Sequence, residues 1–386
     1  MMPAAFSGER IVAARKLFGL TQIALADAVG VSQGLISQVE KGTRGATEDL
    51  IGSVALALGM PRSFFDVIPP ENPLDSLRFR KNSTASKIDT ERAKVLFKEA
   101  YRVSSYLVEH SGFAQSQLPR ATSPVDREMI FDLALQAREA LRVNLEGPVP
   151  HVTRLLERAG IPCAPLRLPG QEALELPTAV GHFGMSYWAG PGELAVIGYF
   201  PGSKADRDRF TLAHELGHVI LHAHNHETVD PESEANFFAG AFLMPPAQAD
   251  DIFDSSLTLT DYARLKQRWG ISIQALIMHA NNVGKVSDDR KRSLFTQLSA
   301  RGWRKSEPVK VYPEEPRLLW KLISKIFGSS PYYAAVDELA LPAVLLRSLA
   351  PYPARATNNR HDEQSSNELS EESGYADVVQ FKRKKA

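Results

Sequence analysis

The sequence predicts a multidomain, mainly α protein: an all-α helix-turn-helix domain, an α+β domain with a small sheet beside a buried histidine-bearing helix, and a helical C-terminal extension. Three observations predict it. The first 68 residues read as five short helices broken by glycine turns. Residues 210–222, "FTLAHELGHVILH", place His214, Glu215 and His218 in the order H-E-x-x-H on an apolar helix. The chain, at 386 residues, is too long for one typical domain.

Composition narrows the class. Hydrophobic residues make up 44% and charged residues 23%, as in an ordinary soluble globular protein. With 45 basic and 45 acidic residues the chain is neither a basic nucleic-acid coat nor an acidic solvating chain, although a local DNA-reading surface remains open. A single cysteine, Cys163 in the apolar run "AGIPCAPL", excludes an internal disulfide and fits a reducing compartment. No apolar run approaches the ~18 residues of a membrane span and the start lacks an export core, so the reading is cytoplasmic, with no membrane partner.

In chain order, Glu9 to Leu17 reads as the first helix. Thr21 caps a second that stops at Gly30, and Ser32 caps a third through Glu40, with Leu35, Ile36 and Val39 facing inward. This is helix-turn-helix spacing: Ala26 allows close packing, Gly30 makes the turn and Ile36 anchors the second helix. Pro61 starts a fifth helix, "PRSFFDVI", and "PPENP" marks a boundary.

The stretch "TQIALADAVGVSQGLISQVEKGTRGATEDLIGSVALALG" strongly resembles the Cro/repressor-type (XRE) DNA-binding domain over nearly its whole length. The resemblance implies that Gln33, Gly34, Ser37 and Gln38, on the helix opened by Ser32, face the major groove, where a Gln amide can bond an adenine edge at two points. It implies that Gln22, Lys41, Thr43 and Arg44 hold phosphates. A module this weakly basic is expected to bind its operator as a homodimer. A helix-turn-helix can also serve protein contacts alone.

A basic segment, Leu77 to Asn82, follows the boundary and reads as a solvated linker or an arm near DNA. Thr90 caps a long helix to about His110, a connector or dimer helix with Val95, Leu96, Val103, Tyr106 and Leu107 at helical spacing. A further helix runs from Val125 to Leu145, then the amphipathic "VTRLLERAGI" and the strand "IPCAPLRL". "GHFGMSYWAG" and "ELAVIGYF" read as strands around the turn "GPGE".

Two imidazoles four residues apart share a helix face and can both reach one ion at about 2.0–2.1 Å. Glu215 projects toward the place of a water beside that ion, where a carboxylate can take and return a proton. A catalytic site of this kind usually has three protein ligands. The third must come from elsewhere, and "DPESEANFFAGAFLMPP" downstream is a helix with Glu232 and Asn236 on one face.

At this point the chain resembles the ImmA/IrrE family of metallopeptidases, whose pattern is H-E-x-G-H, then E-x-x-A-N-x-F-A and a Leu-Met-Pro ending; here the residues are "HELGH", "ESEANFFA" and "LMP". The resemblance implies a zincin-like peptidase domain, with His214, His218 and Glu232 as zinc ligands and Glu215 as general base; Glu234 is the alternative third ligand. In this type of fold a strand beside the metal helix binds substrate by strand addition, and Gly181 to Trp188 is the candidate, with plain core sheet the equal alternative. "DRDR", Asp206 to Arg209, resembles the family's charged entry to that helix. His222, two turns after His214, reads as a structural histidine or a donor behind the ligands, and His224 and His226 as part of a polar loop.

The domain reading is thus 1–69 helix-turn-helix, 70–125 helical linker, 126–289 peptidase-like, 290–352 helical extension and 353–386 a polar, disordered tail ending in "KRKKA". Leu265, Trp269, Ile273, Leu276 and Ile277 supply core to two helices after "LMPP", and "EPRLLWKLISKIF" and "DELALPAVLLRSLA" are amphipathic helices with no chemistry of their own. Two functions fit. In one, a DNA-binding regulator carries a zinc endopeptidase that cuts a protein substrate, by resemblance a repressor or antitoxin. In the other, the metal site is structural or sensory and cuts nothing.

Overall fold

The computed structural model describes residues 8–68, 79–81, 86–113, 117–167, 182–202, 204–223 and 228–353. The expectations placed on His224, His226, Gly181, the flanks of Phe79–Lys81 and the tail from residue 354 lie outside them. No helix among the described residues is long and apolar enough to cross a membrane.

The N-terminal domain is mainly α, as the capping residues require. α1 (Gly8–Leu17) precedes α2 (Gln22–Val29), where the Thr21 hydroxyl accepts from the Ala24 amide and Gly30 closes the helix at φ 71°. α3 (Gln33–Glu40) is capped by Ser32, and α4 (Glu48–Leu58) by Thr47. Arg62–Asp66 is a single 3₁₀ turn rather than a fifth α-helix. Its two aromatics, Phe64 and Phe65, sink into the core, and the Phe64 carbonyl accepts from Arg10 instead of continuing a helix.

β1 (Phe79–Lys81) is followed by α5 (Lys87–Ser111), which begins a turn earlier than Thr90 suggests. Ser86 is its cap: the hydroxyl accepts from the Asp89 amide and donates to the Asp89 carboxylate, while Thr90 bonds back to the Ser86 carbonyl inside the helix. α6 (Arg127–Ala140) ends before Leu145 because buried Arg138 gathers the carbonyls of Asn144, Gly147 and Phe242, folding the chain back past Arg142 at φ 57°. α7 (Val152–Arg158) leads into the sheet strands β2 (Cys163–Pro165), β3 (His182–Trp188) and β4 (Ala195–Tyr199). The sheet order is β1-β3-β4-β2, with β3 antiparallel to both neighbours and β2 parallel to β4.

Helices make up the remainder. α8 (Ala205–His222) and α9 (Pro231–Leu243) pack on each other; α10 (Pro246–Ile252), α11 (Leu259–Trp269), α12 (Ile273–Asn282) and α13 (Asp288–Ala300) follow. α14 (Leu318–Phe327), α15 (Pro331–Ala334), α16 (Val336–Leu339) and α17 (Ala343–Leu349) complete the described chain.

The sheet separates two hydrophobic cores, because side chains alternate between its faces. Ala195, Ile197, Tyr199 and Trp188 join α6 to α9 and α11 to α13 on one side. Met185, Val196, Ala164 and Leu166 face the other, where α5, the N-terminal helices and α14 to α17 form a single core. Gly198 permits this contact: a Cβ there would stand 2.7 Å from the Phe97 ring of α5. α5 is therefore a central pillar, its Arg10–Glu99 ion pair (2.6 Å, both partners buried) tying it to α1. Burial alone would push the Glu99 carboxyl up, but Arg102 and Arg10 outweigh it and hold the group below its ordinary value.

Candidate metal centre and helix-turn-helix surface

α8 is buried on nearly every side from Thr211 to His222, its polar residues His214, Glu215, His218 and His222 included. Its charged entry is fully used. Asp206 pairs with Lys266 at 2.6 Å, the Asp208 carboxylate accepts from the Gly202 amide, and Arg209 binds Glu314 and the carbonyls of Val149, Pro150 and Gly270. These contacts fix the axial position of the helix. Gly217, the glycine of "HELGH", lets α9 come close: a Cβ on it would meet Phe238 at 3.1 Å and the Ala235 backbone at 3.3 Å. That approach brings the first turn of α9 over the histidines.

The Nε2 atoms of His214 and His218 are 3.0 Å apart, and the Glu232 carboxylate straddles them, with Oε2 3.4 Å from His214 Nε2 and Oε1 3.4 Å from His218 Nε2. Donors around a tetrahedral ion with bonds of about 2.0–2.1 Å stand about 3.3–3.4 Å from one another, close to the spacings of the two nitrogens and of the carboxylate that straddles them. The imidazoles are buried while the Glu232 side chain is 42% exposed, so the cluster opens to solvent on that side. Burial works to raise the Glu232 carboxyl, but its hydrogen bonds to, and the charge of, His214 and His218 hold it well below the ordinary range.

The partners behind the imidazoles set their protons. Glu234 accepts from His222 Nε2 at 2.9 Å and from the Thr228 hydroxyl at 2.6 Å. His222 Nδ1 is then a lone pair that accepts from His218 Nδ1–H at 2.9 Å, which leaves His218 Nε2 as a lone pair. The Asn236 carbonyl oxygen, 3.1 Å from His214 Nδ1, does the same for His214. Two lone pairs 3.0 Å apart and a carboxylate repel one another until a cation lies between them, so this donor set fits a divalent metal.

Glu215, the neighbour of His214 on α8, lies against β3. Its carboxylate accepts from the Ser186 hydroxyl at 2.8 Å, and Gly184 lies against it so closely that a Cβ there would be 2.5 Å from Oε1. Beside the centre a cavity of about 450 Å³ runs between α8, α9 and α12, with Phe210, Thr211, Asn236, Gly240 and Met278 in its wall.

The structure thus gathers His214, His218 and Glu232 at one point, holds Glu215, the residue after His214, against Ser186 of β3, and pairs Glu234 with His222. Sequence reasoning placed Gly184 and Ser186 only within the candidate strand Gly181 to Trp188; their contacts with Glu215 carry no motif. It noted Asn236 only as a face-mate of Glu232; the i, i+4 spacing was the available signal.

On the N-terminal domain, Ser32, Gln33, Gly34, Gln38, Lys41, Thr43 and Arg44 are exposed, and Gln22 and Ser37 are half-buried. They are linked: Gln33 donates to Gln22 at 2.8 Å, Gln22 donates to Glu40 at 2.7 Å, and Arg15 clamps Glu40 with two bonds. Ser32 spends its hydroxyl on the Leu35 amide and Thr43 donates to the Gln38 carbonyl. The start of α3 is thereby held rigid with its Gln33 side chain on the surface.

Comparison with known proteins adds two matches and one absence. Residues 11–65 match the family model described as Helix-turn-helix, and residues 183–281 match that of the IrrE N-terminal-like domain, Peptidase_M78. No curated protein matches the chain. Among solved structures it is similar to the crystal structure of Bacillus thuringiensis PlcR in complex with the peptide PapR7 and DNA, at 12% identity over 80% of this chain and 100% of that one. Its TM-score of 0.15 gives that likeness no weight for the fold or the activity. One polypeptide therefore carries a match to a helix-turn-helix model near its start and a match to the IrrE N-terminal-like domain model, Peptidase_M78, farther along.

Proposed function

We propose that the protein is a DNA-binding transcription regulator whose second domain is a zinc endopeptidase acting on a partner protein of the repressor or antitoxin class. The observation that carries the reading is the convergence of His214, His218 and Glu232 with Glu215 buried beside them. A structural site has no use for that fourth group. A zinc ion held by the three ligands would supply the Lewis acidity that activates water and polarises a peptide carbonyl. Glu215, oriented by Ser186, would accept the proton of the attacking water and return it to the leaving nitrogen. Gln33, Gly34, Ser37 and Gln38 would read bases in the major groove, with Ser32, Gln22, Lys41, Thr43 and Arg44 around them at the phosphates, in a homodimer on a two-fold operator.

The test compares metal content, and the proteomes of cells carrying wild type or Glu215→Gln. The variant is expected to retain about one zinc per chain, set by three ligands it does not touch, while one protein disappears only in wild-type cells. Identical proteomes with zinc present in both would leave the structural or sensory reading of the site in its place.

A further inference from the structure

We infer that the chain's own segment Phe79–Lys81 occupies the place of an extended substrate at the metal centre, so that substrate must displace it. The word substrate rests on the peptidase reading; the occupancy itself rests on strand topology. β3 is the strand laid against α8, with Gly184 and Ser186 in contact with Glu215. One edge of β3 is taken by β4, through the pairs Gly184 to Tyr199 and Ser186 to Ile197. The opposite edge is therefore the one available for strand addition, the recognition mode in which main-chain hydrogen bonds provide affinity for any extended peptide.

β1 lies on that edge. It pairs antiparallel with β3, Phe79 opposite Met185 and Arg80 opposite Gly184, so its centre stands level with the glycine that covers Glu215. The pairing is three residues long and its register slips between Arg80 and Lys81. A strand this short and irregular is held weakly, and its tether to α5 is what keeps its local concentration high. β1 comes from the basic stretch between the helix-turn-helix and α5. An incoming segment thus competes with the connection between the two functional domains, and its apparent affinity falls by the fraction of molecules in which the edge is filled.

The experiment uses the full-length zinc-loaded chain and the double variant Phe79→Pro/Arg80→Pro. Neighbouring residues of a strand direct their amides to opposite sides, so one of the two prolines removes a donor aimed at β3 wherever the register sits. Hydrogen exchange at the amides of residues 182–186 is expected to speed up by about tenfold or more in the variant, while α5 keeps its protection. A synthetic peptide of residues 74–86 added to the variant restores the slow rate. β-Casein, an unstructured probe, is cut faster by the variant than by wild type. Equal exchange at 182–186 in the two proteins overturns the assignment of β1, whatever happens to casein. Faster exchange with equal, measurable casein cutting overturns the competition. Casein left intact by both proteins while exchange separates them removes the peptidase reading and leaves β1 as the occupant of the edge.

Discussion

His222 is not a motif residue, yet it decides which nitrogen of His218 faces His214 and Glu232. Replacing it by Phe keeps a ring in place and removes the hydrogen bonds of 2.9 Å to His218 Nδ1 and 2.9 Å to Glu234. His218 Nδ1–H then loses the His222 acceptor at a site where His222 itself is only 4% exposed, and the imidazole is less firmly held in one orientation and tautomer. Loss of a partner behind a metal ligand lowers metal affinity about 10–100-fold, which is about 1.4–2.7 kcal/mol. The assay is a chelator-competition titration of zinc, with circular dichroism to show that the helices persist. Glu234 acts through the same imidazole. Adding Glu234→Leu to His222→Phe should therefore cost almost nothing further, although Glu234→Leu alone weakens zinc. A zinc affinity for His222→Phe within about twofold of wild type would refute the chain of hydrogen bonds as the device that sets the tautomer.

Further predictions follow from other contacts. Gly184→Ala places a Cβ 2.5–2.8 Å from three atoms of the fully buried Glu215 side chain; urea unfolding should show a loss of about 1–3 kcal/mol, with zinc binding nearly unchanged and peptidase activity lost. Glu99→Ala strands the buried Arg10 guanidinium with the Phe64 carbonyl as its remaining acceptor; unfolding should register about 3–5 kcal/mol, and protection of α1 should fall first. His279 is pushed down to about 4 by burial, against its hydrogen bond to Met244. The unfolded chain takes up that proton below about 6.5, so His279 stabilises the fold fully above that pH and its contribution, about 3 kcal/mol, is lost as pH falls toward 4. Burial raises Glu157 and Asp208 to about 7, and these groups act with the opposite sign, favouring the fold as pH falls from 7 toward their unfolded values. The difference between wild type and His279→Gln in melting temperature across pH 4–7 isolates the histidine; parallel curves would contradict the reasoning.

Local signals were the legible ones. Thr21, Gly30 and Ser32 mark helix ends by chemistry that acts within four residues, and the structure has the corresponding ends there. The H-E-x-x-H spacing likewise fixes two imidazoles on one face without reference to anything distant. What pattern reading could not reach depends on contacts between segments remote in the chain. The meeting of Glu232 with the histidines requires α9 to press on Gly217. The orientation of Glu215 depends on Ser186, from a strand whose alternation says only that it is half of a sheet. Ser86 was passed over as a cap because a second hydroxyl, Thr90, stands one turn on; Asp89 three residues after Ser86 was the usable cue. The amphipathic stripes of α14 and α17 say that they bury a face, but not that the face meets α5 and the N-terminal helices.

That shared core changes what a shortened form of the protein would be. α14 packs along α5, Arg102 of α5 bonds the Leu339 carbonyl, and Tyr106 bonds Glu338. The carboxy-terminal helices are thus the mounting on which the reading head is bolted. A premature stop near residue 300 would spare His214, His218, Glu232 and Gln33, yet expose the bare flank of α5 as a greasy wall. Such a product is expected to clump or be degraded, and to be silent at the promoter without a lesion in either working part.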